Sequence, residues 1–226
     1  MIQLDFAAVL ADWPLLLRGA AFTLGLTAVA SALGIALGIA CARARTHGSA
    51  PMRAMAGAYV EAIRNTPFIV QLFFIFFGLP SIGLHLGSET ASIIAMTLNL
   101  GAYAAEIVRA GIAGTPRGQI EAARSLALTE AQVFLKVVLP PALGRVWPAM
   151  VSQIVIVMLG SAVCGQIAAQ ELSYYANLIM SRNFRYFEAN FVAGATYLAL
   201  AIGVRHALNW AGPRWIFGRK PRAGRT

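Results

Sequence analysis

The sequence has little charge and little cysteine for its length. Only 12% of its 226 residues are charged and 58% are hydrophobic, whereas about 25% charged residues is usual for a soluble domain. These proportions exclude an ordinary soluble domain and predict an integral membrane protein. The two cysteines, Cys41 and Cys164, both lie in apolar runs. We therefore expect neither a disulfide framework nor a metal site, and interpret both thiols as small packing residues.

The sequence motifs of common enzymes are also missing. The chain contains no G-x-x-x-x-G-K-S/T loop, no H-E-x-x-H pair and no nucleophile elbow. We therefore predict no catalytic residue and no cofactor in this chain, and an intramembrane enzyme is disfavoured. The net charge of +9 raises the question of nucleic-acid binding. Because the basic residues gather in particular loops and at the C-terminus, they indicate membrane topology instead, and no nucleic-acid partner is expected.

Long apolar runs predict five transmembrane helices in one domain that covers residues 1–226. The first run has no charge from residue 19 to residue 42, which is enough to cross a hydrocarbon core of about 30 Å. Its Gly34 and Gly38 form a G-x-x-x-G motif that permits close helix packing. The predicted spans are 19–42, 60–84, 90–110, 146–169 and 189–210. The expected fold class is therefore an all-α integral membrane protein.

The basic residues predict the orientation of these spans. Arg43, Arg45 and Arg53 follow the first span, which places that loop in the cytoplasm, and residues 78–90 hold no Lys or Arg, as an outer loop should. The N-terminus is then outside, and the basic C-terminus is inside, where it can meet anionic lipid. A cleaved signal peptide is the less favoured alternative, because no basic residue precedes Arg18.

Residues 170–190 combine balanced charge with several aromatic side chains, which suits the outer side of the membrane. The favoured interpretation is an aromatic belt at the lipid headgroups. Contact with a docking protein is the alternative.

Polar side chains inside the spans are candidates for a substrate path. Asn99 lies near the middle of the third span, where its amide either lines a pathway or bonds a neighbouring helix. The candidate residues for the path are Asn99, Gln71, Gln153, Ser161 and Gln166. Two pairs of opposite charge, spaced three residues apart, predict ion pairs at the inner interface. These pairs are Glu61 with Arg64 and Glu106 with Arg109.

A charged segment over residues 115–140 separates the third and fourth spans. Thr115 and Pro116 predict one helix start, and Thr129 with Gln132 predicts a second start through a capping box. Pro140 and the proline after it are expected to stop or bend the chain. The pattern therefore predicts a helix, a tight turn, a second helix and a kink, all in water. An ordinary solvated loop is the alternative.

This segment resembles the EAA loop of ABC-importer membrane subunits. The family pattern is EAA, three residues, Gly, nine residues, Ile, one residue and Leu-Pro. The residues that match its spacing are Glu121, Ala122, Ala123, Val137, Leu139 and Pro140. Ala127 departs from the pattern, because the family has Gly there. An alanine in a left-handed turn costs about 1–2 kcal/mol, so either the turn is made differently or stability is lost.

Other runs resemble the branch that imports polar amino acids such as histidine, glutamate, glutamine, arginine and opines. They are E-x-x-R from Glu61, Q-L-F-F from Gln71, F-G-L-P from Phe77 and L-N-x-x-A-Y-x-x-E-x-x-R from Leu98. The resemblance covers residues of about 20 to 212. Where the family commonly has K-D-T-S, this chain has Leu-Gly-Ser-Ala at 159–162. The missing charged pair favours a heterodimer, in which a second permease chain supplies substrate contacts.

The resemblance implies a type I importer in the bacterial cytoplasmic (inner) membrane. Each subunit would carry five helices, with two permease subunits around a midplane cavity and a solute-binding protein outside. An ABC ATPase dimer beneath would bind ATP and magnesium. The residues implied in ATPase coupling are Glu121, Ala122, Ala123, Arg124 and Leu126, with Ala127 at the turn, Phe134 packing beneath it, and Leu139 and Pro140 completing the motif. A passive channel or a non-transporting membrane scaffold, with 121–140 as a tethered loop, is the alternative.

Overall fold

The computed structural model describes residues 4–216, and that part of the chain is built from helices and contains no strand. The predicted all-α fold is confirmed. The helices, in chain order, are α1 (Ala7–Leu10), α2 (Trp13–His47), α3 (Ala50–Arg64), α4 (Phe68–Phe73), α5 (Ser88–Ala113), α6 (Arg117–Ser125), α7 (Glu130–Gln132), α8 (Leu139–Gly160), α9 (Leu172–Asn183) and α10 (Tyr186–Ala211). Short π-helical turns follow α4, α7 and α10, and 3₁₀ turns precede the loop before α5 and follow α8.

Four helical runs are long and apolar enough to cross a membrane. These are Trp13–His47, Ser88–Ala113, Glu130–Ile167 and Tyr186–Arg214. A fifth crossing arises if Ala50–Arg64 and Phe68–Ile82 count together as one bent span. The orientation of these helices, with the N-terminus outside, stays a prediction.

The second predicted span, residues 60–84, is not one straight helix. α3 ends at Arg64, and the next run begins at Phe68 after a change of direction of 110°. Pro67 lies in the break with an extended backbone. It has no N–H to continue the helix, and it pushes Thr66 out of the helical region. A bend at Pro67 was expected from the sequence, but its size makes α3 a separate element.

The core lies where α2 packs against α5. A methyl group on Gly34 would lie 2.9 Å from Cβ of Leu100, and one on Gly38 would lie 2.5 Å from Cβ of Ala104. Leu100 and Ala104 are both fully buried. Only glycine permits this approach, so the G-x-x-x-G motif has α5 as its partner.

The two prolines at 140 and 141 were expected to stop or bend the chain, and they do not stop it. The helical run continues from α7 through a π-helical turn, Val133–Val138, into α8. The prolines lie in the first turn of α8, where missing N–H groups cost least. The wider π turn directly before them also changes the pattern of backbone bonds at this point.

The first half of α2 is fastened to α9. A methyl group on Gly19 would lie 2.8 Å from Cα of Leu172. The backbone N–H of Leu172 donates to Oγ1 of Thr23 over 3.2 Å. From this contact α2 continues as one unbroken helix to its end at His47.

Candidate functional site

Helix α6 is the exposed element between the third and fourth spans. It begins at Arg117 with Pro116 at the N-cap position. Thr115 does not cap it, contrary to the sequence prediction. Its N–H donates to Ile112 and so ends α5, and its buried hydroxyl has no hydrogen-bond partner among the described residues.

The two faces of α6 differ sharply in exposure. Ala123 is only 5% exposed and belongs to the main core cluster, whereas Leu126 is 76% exposed. Glu121, Ala122 and Arg124 are also exposed. Ala123 therefore packs inside its own chain, and its implied direct contact with an ATPase does not fit this structure. Ala122 and Leu126 present the free face.

Ala127 forms the turn after α6 in the left-handed conformation, with φ of +56°. Its N–H donates to the carbonyl of Arg124 over 2.9 Å, and the N–H of Leu128 donates to the carbonyl of Ala123 over 3.3 Å. This pair of bonds is the Schellman motif, in which glycine is usual at the position of Ala127. The turn is thus made in the way glycine would make it, and the strain of about 1–2 kcal/mol is retained.

The second helix start has the predicted capping box. The N–H of Gln132 donates to Oγ1 of Thr129 over 3.3 Å, and the N–H of Thr129 donates to Oε1 of Gln132 over 2.9 Å. Two backbone donors at the helix start are satisfied in this way. The prediction of a helix start at Thr129 is confirmed.

An ion pair joins the helices on either side of the turn. Nε and Nη2 of Arg124 donate to the two carboxylate oxygens of Glu130 over 2.8 and 3.1 Å. The hydrogen bonds from Arg124 hold the pKa of Glu130 below its usual range, and the same bonds raise the pKa of Arg124. Both side chains are exposed, so the pair fixes geometry more than it adds stability.

Phe134 fastens this segment to the end of α2. Its side chain is buried, with the guanidinium of Arg43 5.1 Å from the ring centroid and the ring of His47 6.3 Å away. A cavity of about 220 Å³ separates Phe134 from Ile120 and Arg124. Leu139 and Pro140 begin α8 and are half-buried and exposed respectively.

A three-residue charge cluster ties α5 to α2. Oε2 of Glu106 accepts from Nη2 of Arg109 over 2.7 Å, and its Oε1 accepts from Nη1 of Arg45. The predicted pair of Glu106 and Arg109 is confirmed. Arg45 was missed, because local spacing cannot reveal a partner 61 residues away.

The predicted ion pair of Glu61 and Arg64 is wrong. No ion pair joins them among the described residues, and both side chains are exposed. The guanidinium of Arg64 lies instead 5.4 Å from the ring centroid of Tyr103 on α5. An exposed pair on one helix is worth only about 0.3–0.5 kcal/mol, and a cation over an aromatic face offers a comparable gain.

Asn99 and Gln71 form the polar cluster beside the bend. Nδ2 of Asn99 donates to Oε1 of Gln71 over 3.0 Å, so the helix-to-helix bond holds. Asn99 also lines a cavity of about 90 Å³ with Phe68 of α4 and with Ile156, Val157 and Gly160 of α8. The bond to a neighbouring helix is therefore present, and a place for Asn99 on a substrate path stays a prediction.

Gln71 has a structural role that the sequence did not predict. Its Nε2 donates to the carbonyl of Ile63 over 2.7 Å and to Oγ1 of Thr66 over 2.9 Å. It thereby satisfies groups left open where α3 ends, and holds the 110° bend. The one signal in the sequence for this role is the position of Gln71, a polar residue in an apolar run four positions after Pro67.

The remaining candidates for the path lie apart from this cluster. Ser161 is fully buried, and its hydroxyl donates to the carbonyl of Met158 over 2.7 Å. Gln166 is exposed at the far end of the 3₁₀ turn. Gln153 is half-buried and lies one turn before Val157 on the same face of α8. In residues 4–216, no three His, Cys, Asp or Glu side chains gather closely enough to hold a metal ion.

Glu171 is a further polar residue that sequence reasoning missed. It is fully buried and caps α9, where its Oε1 accepts from the N–H of Tyr174 over 2.8 Å. Its Oε2 accepts from the hydroxyl of Tyr197 on α10. Burial raises the pKa of Glu171 above its ordinary value, although these hydrogen bonds act in the opposite direction. Its charge suggested only an outer loop, and nothing in the sequence marks it as buried.

Comparisons with known proteins agree with the sequence resemblance. The family profile described as "Binding-protein-dependent transport system inner membrane component" matches residues 34–215. The probable glutamine ABC transporter permease protein GlnM of Bacillus subtilis (strain 168) is 35% identical over 188 residues, which are 83% of this chain and 87% of that protein. The L-cystine transport system permease protein TcyB of the same organism is 33% identical, over 90% of this chain and 89% of that protein.

A solved structure gives the same result for the fold. The crystal structure of an amino acid ABC transporter with histidines matches 94% of this chain and 100% of that chain, with a TM-score of 0.83 and 33% identity. The chain therefore belongs to the family of binding-protein-dependent transport system inner membrane components.

Proposed function

We propose that this chain is the permease subunit of an ATP-driven importer of polar amino acids, and that α6 couples it to a separate ATPase. The observation that carries the coupling role is the free face of α6, with Ala122 and Leu126 exposed on a helix that is otherwise fixed in place. The names of the relatives, which concern glutamine, L-cystine and an amino acid, support the substrate class.

The contacts between α6 and its neighbours indicate how a displacement of α6 would be transmitted to the spans. The turn at Ala127 and the ion pair of Arg124 with Glu130 join α6 to the next helix, and Phe134 joins that helix to the end of α2. Arg45 and Glu106 then join α2 to α5. Movement of α6 would thus displace packed helices together, as rigid-body rocking between discrete arrangements requires.

The proposed partners are those that the family implies. ATP and magnesium would bind on the ATPase dimer, and a solute-binding protein would deliver substrate from outside. The amide of Asn99, which lines the adjoining cavity, can exchange its hydrogen bond to Gln71 for a bond to a polar substrate there. Because residues 159–162 carry no charge, a second, different permease chain would contribute charged contacts. This favours a heterodimer.

Crosslinking from α6 tests the proposal directly. A single cysteine replaces Ala122 in native membranes, on a background in which Cys41 and Cys164 are substituted. Ala123, the buried neighbour, is the matched control. We expect Ala122→Cys to form a nucleotide-sensitive crosslink with an ATPase subunit, and Ala123→Cys to form far less.

Two results would contradict the proposal. Modification of position 122 only from outside would overturn the predicted orientation of the chain. Modification from inside with no ATPase captured would instead favour the passive channel or the scaffold, neither of which needs a nucleotide-binding partner.

A further inference from the structure

We propose that the chain binds an anionic phospholipid in a groove at the His47 end of α2. The groove has a volume of about 500 Å³ and lies between α2, the start of α3 and the π turn after α7. This volume is within the range of about 300–1,000 Å³ that is typical of small-molecule sites. The residues that define this His47 groove for the argument are Ala36, Ala40, Arg43, His47, Met52 and Leu135.

One end of the groove is apolar. Ala36 and Ala40 are exposed and lie one turn apart on α2, where their small side chains leave a hollow. Met52 and Leu135 flank it and are 52% and 54% exposed. All four positions are open to an apolar ligand, and Ala36 and Ala40 belong to the uncharged run that predicts the first span. The predicted first span therefore places Ala36 and Ala40 at the depth of lipid acyl chains, whereas Met52 and Leu135 lie in segments that are predicted to be cytoplasmic.

The other end is basic. Arg43 and His47 are one turn apart on the same face of α2, and both side chains are exposed. Arg43 forms no ion pair among the described residues, and its guanidinium lies over the ring of Phe134. Arg43 and His47 also line the cavity beside α6 together with Glu130, whose carboxylate is already paired with Arg124 over 2.8 Å. The basic end can therefore accept an anion.

The order of these features along α2 selects the ligand. The apolar part comes first, and Arg43 follows directly where the uncharged run ends at residue 42. An anionic phospholipid has the same order, with its chains in the membrane core and its phosphate at the interface. A soluble anion would leave the apolar part empty, and a zwitterionic lipid would gain less from Arg43.

Occupancy of the groove would bear on coupling. Phe134 lines both the His47 groove and the cavity beside α6. A bound lipid would thus limit the movement of Phe134 relative to α2. The inference rests on the proposed orientation, which puts this end of α2 in the inner leaflet, but lipid binding is measurable on the isolated chain without any ATPase.

The first test removes the two basic side chains. The full chain is purified in detergent, and binding of phosphatidylglycerol is measured by native mass spectrometry, with phosphatidylcholine of the same chain length for comparison. We expect Arg43→Gln with His47→Gln to weaken the apparent affinity for phosphatidylglycerol at least about fivefold. The matched control, Arg53→Gln with His85→Gln, removes the same residue types from exposed positions outside the groove and should bind as the unmodified chain does.

The second test fills the apolar end. Ala40→Phe and, independently, Ala36→Phe should each weaken phosphatidylglycerol binding while leaving Arg43 and His47 in place. Thermal unfolding in lipid-free detergent identifies any variant that fails to fold, and the other variant then decides. Equal binding of the two lipids, unchanged binding by a folded groove-filling variant, or competition by glycerol phosphate alone would each overturn the proposal. The crosslinking experiment at Ala122 would be unaffected by any of these results.

Discussion

Replacing Ala127 by glycine should stabilise the turn after α6. Ala127 has φ of +56°, and its methyl group is exposed, so its loss leaves no cavity in the core. Glycine adopts this conformation without the steric contact between Cβ and the following carbonyl. The hydrogen bonds of the Schellman motif come from the backbone and remain.

The magnitude is the difference of two opposing effects. Relief of the left-handed strain contributes about 1–2 kcal/mol, and the greater freedom of glycine in the unfolded chain costs about 0.5–1 kcal/mol. With both effects taken near the middle of their ranges, the net local stabilisation is about 0.5–1 kcal/mol. Such a change corresponds to a local opening equilibrium that is smaller by roughly two- to fivefold.

Amide hydrogen exchange measures this opening. In Ala127→Gly, the amides at positions 127 and 128, which donate to Arg124 and Ala123, should exchange roughly two- to fivefold more slowly. The matched control is Ala122→Gly, the same chemical change within the exposed face of α6. It should speed exchange in α6, because glycine inside a helix costs about 1 kcal/mol relative to alanine.

The two variants must therefore move in opposite directions. Unchanged or faster exchange in Ala127→Gly would refute the left-handed turn and the strain assigned to it. Equal slowing in both variants would show that the effect has nothing to do with the conformation at position 127.

Three further predictions concern the packing and polar contacts of the spans. Gly38→Ala should lower the free energy of unfolding by about 1–3 kcal/mol, because the added methyl group would lie 2.5 Å from Cβ of Ala104. Gly25→Ala, whose methyl group would meet nothing within 4 Å, should not lower it. Equal melting temperatures of the two variants would contradict the close packing at Gly38. Gln71→Leu should lower the free energy of unfolding by about 1–3 kcal/mol and speed amide exchange at the bend, because the carbonyls of Ile63 and Thr66 lose their donor. Unchanged exchange would refute the role of Gln71 in holding the bend. The raised pKa of Glu171 means that the folded state holds this proton more tightly, so thermal stability should fall as pH rises from the ordinary glutamate range through the raised pKa; Glu171→Gln should lack this slope, and a parallel pH profile would contradict the assignment.

Features set by neighbours in the sequence were predictable. The capping box at Thr129 depends on two residues three positions apart, and the structure has both of its bonds. Ala127 was identified as a strained position because the resemblance demanded glycine there, and the left-handed φ is present. The pair of Glu106 and Arg109 needed only the geometry of one helix.

Features set by distant residues were not predictable. Arg64 contacts Tyr103 instead of Glu61 because the bend brings α3 towards α5, and no local pattern contains that information. Gln71 was read as a candidate for the path, whereas most of its hydrogen bonds hold the bend. The prolines at 140 and 141 were expected to stop or bend the chain, and the helical run continues past them after a π turn that has no sequence signal of its own.

The unbroken length of α2 has a mechanical consequence. Its 35 residues span about 50 Å, more than the hydrocarbon core of about 30 Å. The first half of α2 is held by Leu172 through Thr23, and a point near its end is held by Phe134 through Arg43. No proline or π turn lies between these two contacts, so α2 is stiff there, and displacement at one contact displaces the other. Flexion in the transport cycle must then be sought in the broken second span and in the π and 3₁₀ turns that flank α8.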